Sequence, residues 1–120
     1  VDASGDLRQD TLAGPSEVAD EVGKRWSQSR GVVGRAFRSG QPVFVPDVSA
    51  DPDYVRSDSA VRAELAIPFL FHGRVLGVLN LEARSRRVFP ASVRTSLIAL
   101  AARLAGVIHL ALLGHRLRAT

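Results

Sequence analysis

Two apolar runs, three residues apart, dominate the pattern of the chain. Residues 65–71 are apolar on both alternating faces: Leu65, Ile67, Phe69 and Phe71 on one, Ala66, Pro68 and Leu70 on the other. Residues 75–81 behave in the same way, with Val75, Leu79 and Leu81 set against Leu76 and Val78. A strand wetted on one side alternates apolar with polar residues, whereas a strand covered on both sides does not. The pair is therefore expected to be a β-hairpin in the middle of a sheet with both faces covered. His72-Gly73-Arg74 supplies the turn, where Gly73 tolerates a positive φ. Pro68 has no N–H and must leave a gap in its ladder.

The rest of the pattern predicts shorter elements around that hairpin. Residues 7–13 read as a weak strand and 15–22 as a short helix opened by Pro15 and closed by Gly23. Residues 24–30 are a short β or irregular segment around Trp26. Residues 32–39 read as a helix with Val32, Val33, Ala36 and Phe37 inward and Gly40 after its end. Residues 41–46 form a strand stopped by Pro46. The polar stretch 47–63 is expected to hold helical turns over 52–56 and 58–63, with Asp51 as the cap. Pro90 then opens a long helix, about 90–118. It carries two adjacent stripes, Val93, Leu97, Leu100, Leu104, Val107, Ala111 and Ile98, Ala101, Ala105, Ile108, Leu112. One stripe suffices for packing on a sheet. The other needs a partner, either a further helix of this chain or a second copy of it.

Composition narrows the chemistry. The 120 residues suit one domain, 1–120, and contain no cysteine. That removes disulfides, thiolate metal sites and thiol catalysis from these residues. No apolar run reads as near the roughly 20 residues of a membrane span, and no signal sequence is seen, so a cytoplasmic location without membrane contact is expected. The net charge of +4 is uneven: residues 83–120 carry seven arginines and no acid. This basic segment suits either a solvated helix face or a nucleic-acid contact. The two glycines at 31 and 34 lack the spacing and lysine of a phosphate loop. The aspartates of 47–58 lack the glycine and closing glutamate of a calcium loop. No histidine pair has helical metal-site spacing.

In order, Gly31-Val32-Val33-Gly34-Arg35-Ala36, the run 40–48 with Asp51-Pro52, Leu65-Ala66-Ile67-Pro68-Phe69, Gly77-Val78-Leu79-Asn80-Leu81, and Phe89 before a long helix resemble a GAF domain. The GAF domain is a small-molecule sensory module related to the PAS fold. The likeness covers about residues 7–113. It implies an α+β fold: an antiparallel sheet with helices on both faces and a long C-terminal helix that often pairs with a partner's. It also implies a ligand pocket on the other face, under a lid formed by 47–63. Phe44, Asp47, Tyr54, Leu65, Ile67 and Phe69 are the expected pocket residues.

The resemblance begins after the family's usual opening helix and most of its first strand. That predicts an unpaired edge beside 75–81, to be filled by more of a longer chain or by a partner. Without cysteine, the family's sulfoxide-reductase and bilin-attaching chemistries are not expected. Asn80 and Phe89 match part of the signature of its cyclic-nucleotide binders, but the lysine and acidic pair are missing. A haem would need an axial histidine, and none lies in the lid. The expectation is a regulatory, non-enzymatic sensor. It would bind an unidentified small molecule, form a homodimer through the terminal helix and control an attached output domain, with no cofactor indicated. The alternatives are a ligand-free dimerisation scaffold and a nucleic-acid-binding module.

Overall fold

The computed structural model describes residues 7–8, 25–26, 31–52, 54 and 60–119; for 7–8, 25–26 and 115–119 this is the backbone only. Two short strands, β1 (Leu7–Arg8) and β2 (Arg25–Trp26), pair antiparallel with Leu7 opposite Trp26. They fall at the start of the expected 7–13 strand and inside the β segment around Trp26. The expected helices over 15–22 and 52–56 lie outside the described residues, apart from Pro52 and Tyr54.

The main sheet has the order β3-β4-β5, with β3 Val43–Val45, β4 Ala63–Phe71 and β5 Arg74–Ala83. Both pairings are antiparallel, with Phe44 opposite Leu65 and Ile67 opposite Leu79. β4 begins at Ala63, so the last residue of the expected 58–63 helix is strand. β3 pairs with residues 64–66 only. Pro68 lies beyond its end, which accommodates the missing N–H within the central strand. His72 (φ 48°) and Gly73 (φ 77°) turn the hairpin. Positive φ at both central positions gives the twist that joins antiparallel strands tightly. One extra residue lies in β5 between the pairs Phe69–Gly77 and Leu70–Val75. This bulge re-phases the strand. Val75 consequently joins Leu70 near Gly40, on the opposite face from Leu79 and Leu81. The pattern alone had placed Val75 with Leu79 and Leu81. Among the described residues β5 pairs only with β4.

A helix covers each face. α1 (Gly31–Ser39) buries Val32 and Ala36 against Val45, Val48 and Ala66. Val33 and Phe37, expected inward with them, are only half-buried. Gly40, at φ 66°, closes α1 and donates its N–H to the Ala36 carbonyl at 3.0 Å, the left-handed helix ending that glycine adopts without cost. On the opposite face α2 (Ala91–Ala119) buries Ala101 with Ala63, Leu65, Ile67 and Phe89. Ala105 is also buried. Ala101 and Ala105, joined by Leu97, thus supply the sheet contact; Ile98, in the stripe of the two alanines, is exposed. In the other stripe Val93, Leu100, Leu104 and Val107 are exposed, Leu100 by 48% and Val107 by 62%.

The reading that no apolar run nears membrane length is corrected by this helix. Over Ala91–Gly114 it is long and apolar enough, by length and composition, to cross a membrane, with a mean hydropathy of 2.0. Only Arg103 carries a full charge between Leu97 and Gly114.

Candidate functional site

The α1 face of the sheet holds the polar chemistry. Strand alternation puts Glu64 on the same side of β4 as Ala66, hence toward α1. Its side chain is only 4% exposed, and its Oε2 has no hydrogen-bond partner. The register sets Glu82 directly opposite, with Asn80 two residues along the same face of β5. Asn80 donates a hydrogen bond to the Glu64 carboxylate. Burial, then the Glu82 charge, raise the Glu64 carboxyl from 4.5 to about 7; Asp51 adds to the rise, while Asn80 and Arg35 oppose it. The carboxyl is therefore close to half-protonated at neutral pH.

Arg35 projects from the middle of α1 and meets Asp51 at the end of a 3-10 turn, Val48–Ala50. Their Nη2–Oδ2 distance is 2.8 Å, and Asp51 is the more buried partner. Asp47 caps that turn, accepting bonds from the Ser49 hydroxyl at 2.7 Å and the Ser49 N–H at 3.1 Å. Those two bonds, in that order, hold the exposed Asp47 carboxyl below its ordinary value. Asp51 closes this turn; the helix it is expected to cap lies mostly outside the described residues. The Val48 N–H donates to the Arg62 carbonyl at 2.8 Å, tying the 47–51 segment back to the approach of β4. A groove of about 250 Å³ runs along the β3 edge, lined by Phe44, Val45, Pro46, Asp47, Ala50 and Asp51.

The six expected pocket residues are divided between the two faces. Tyr54 packs with the α1-side core, and Asp47 stands at the groove. Leu65 and Ile67 are buried on the α2 side, and Phe69 packs there with them. They belong to the core of the face covered by α2. Phe44 also packs toward α2, edge-on to Phe89 at 6.2 Å, with the Arg94 guanidinium 4.4 Å from its ring centre; it borders the groove as well. The alternation of β4 follows the sequence pattern, while the packing of the two helices sets which face is which. The polar groups gathered on the α1 face, Glu64, Asn80, Glu82, Arg35 and Asp51, are not among the six expected residues. One signal was present: Glu64 and Glu82 flank the hairpin symmetrically, each a charged residue next to a continuous apolar run. Among the described residues no group of three or more acidic, histidine or cysteine side chains is arranged to hold a metal ion.

Comparison with known proteins gives this architecture its relatives. A family model described as GAF domain matches residues 1–109. Protein YtsP of Bacillus subtilis is 32% identical over 60 residues, which is 50% of this chain and 37% of its own length. The chain thus spans little more than a third of the curated relatives it matches. Among solved structures, the free methionine-R-sulfoxide reductase of Neisseria meningitidis is 32% identical with a TM-score of 0.66. That alignment covers 72% of this chain and 52% of the reductase. A type II free methionine-R-sulfoxide reductase from Thermoplasma acidophilum aligns with a TM-score of 0.77 over 88% of this chain and 72% of its own. At 20% identity it speaks for the fold alone. These neighbours correct the expectation of a non-enzyme: the fold that this chain shares carries catalysis in both reductases, so an absence of enzymatic activity does not follow. The absence of cysteine still bars thiol chemistry by any of the 120 residues.

Proposed function

Because the chain belongs to the GAF domain family, we propose that it is a regulatory domain whose small-molecule site lies on the α1 face, around Glu64. One observation carries this reading: a carboxyl held almost wholly out of water in the central strand, with one oxygen unpartnered. Leaving a buried acceptor unsatisfied costs roughly 1–3 kcal/mol. A ligand that satisfies it regains that cost. Glu64, Glu82 and Asp51 outnumber Arg35 around the position, so the surroundings favour a ligand group that brings positive charge or N–H donors. The short 47–51 segment, joined to α1 through Arg35–Asp51 and to β4 through Val48, is placed to respond when that group binds.

Native mass spectrometry of the purified protein beside Glu64→Ala tests this. The wild type should carry a discrete small mass, or shift its melting temperature in a panel of primary amines and amino acids, and the variant should do neither. A bare wild type with no shift against the panel sinks the reading.

The exposed stripe of α2 favours a second element of the same function. Val93, Leu100, Leu104, Val107 and Ala111 are exposed and, with Leu97 at the border of the sheet core, follow the alternating four- and three-residue steps of a coiled-coil seam. We propose that two copies pair along it and that ligand binding is passed on through this helix. Sedimentation should give a dimer that Leu104→Glu dissociates; a monomeric wild type rules the pairing out.

A further inference from the structure

The same buried carboxyl has a consequence that needs no ligand. Glu64 is faced from β5 by Glu82 and Asn80, from the 3-10 turn by Asp51 and from α1 by Arg35. β3 brings no charge to it, because its register partner there is Val45. A negative charge on Glu64 would therefore sit in a nearly water-free position directly across from a second carboxylate. With a proton on the carboxyl the repulsion from Glu82 and Asp51 is relieved and no charge has to be held out of water.

We propose that Glu64 is a proton-operated switch in the central strand, tightening the contact between the sheet and α1 when it carries a proton and loosening it when it does not. The switch rests on the Glu64 site described above but is read on the chain with nothing bound, so it can fail or hold separately from the ligand reading. Its working range follows from linkage. Between 4.5 and about 7 the folded chain keeps a proton that the unfolded chain has released. Stability therefore falls as pH rises through that window, and the full cost is present above it.

The test compares melting temperatures of the wild type, Glu64→Gln and Glu82→Gln from pH 5 to pH 8, alongside a carbon NMR titration of the Glu64 carboxyl in the wild type. The wild-type melting temperature should fall by roughly 5–10 °C more than that of Glu64→Gln over this range. Removing the facing charge with Glu82→Gln should make the fall shallower and end it at a lower pH. The NMR titration should centre near neutral. Parallel pH profiles for the wild type and Glu64→Gln, or a carboxyl that titrates in the ordinary glutamate range, would overturn the proposal. If Glu64→Gln fails to fold, the Glu82→Gln profile and the wild-type titration still decide it.

Discussion

The two faces of the sheet are built from the same strand and serve opposite ends. Toward α2, β4 presents Ala63, Leu65, Ile67 and Phe69, closed by Phe89, Leu97 and Ala101 without a buried charge. Toward α1, the same strand presents Glu64, Ala66 and Pro68, under a cover that combines Val32 and Val48 with an Arg35–Asp51 ion pair. The first face is stabilised by burial, worth about 25 cal/mol for each Å² of apolar surface. The second gives up part of that gain to hold a carboxyl in a position where its charge is disfavoured. Evenly spread stability would not produce this division. Structural core on one face and a strained polar group on the other is the pattern expected where a site is held ready on a rigid support.

The contrast can be broken most strongly on the α2 side. Ile67→Ala should cost about 3 kcal/mol in urea denaturation, because the cavity opens among residues that cannot close over it. A loss below about 1 kcal/mol would mean that the α2 face is not the main core. On the α1 side the sign should reverse: at pH 8, Glu64→Gln should gain about 2–3 kcal/mol by removing a disfavoured charge. A loss there would show that the carboxylate is satisfied. Arg35→Ala should cost about 1–2 kcal/mol, since it leaves Asp51, mostly buried, without that guanidinium. It should also push the Glu64 titration further up, as a charge opposing the rise is lost. The smallest effect on folding belongs to Leu104→Glu, at the outer stripe of α2. It should change monomer stability by less than about 0.5 kcal/mol while lowering the sedimenting mass. A large fall in stability would place Leu104 in the fold rather than in a partner contact.

Much of the architecture was legible because local rules decided it. The hairpin followed from two continuous apolar runs around His72-Gly73, and α1 ended where Gly40 allowed it to. The long helix runs from just after Pro90. The site was less legible. Leu65, Ile67 and Phe69 pack on the α2 face, and Glu64 belongs to β4 although the apolar run starts one residue later. The β5 bulge moves Val75 across the sheet. The phase of these strands carries no local signal, because one face of an alternating strand becomes identifiable only when the other face is polar.

By itself, then, the sequence determined the elements, their order and the presence of cover on both sides of the hairpin, since periodicity and turn chemistry act over a few residues. Only the tertiary structure decided which face met α2 and which met α1, which stripe of the long helix stayed exposed, and that Glu64 came to lie buried opposite Glu82. Those outcomes depend on pairing register and packing between residues far apart in the chain, where a strand apolar on both faces offers two equivalent choices.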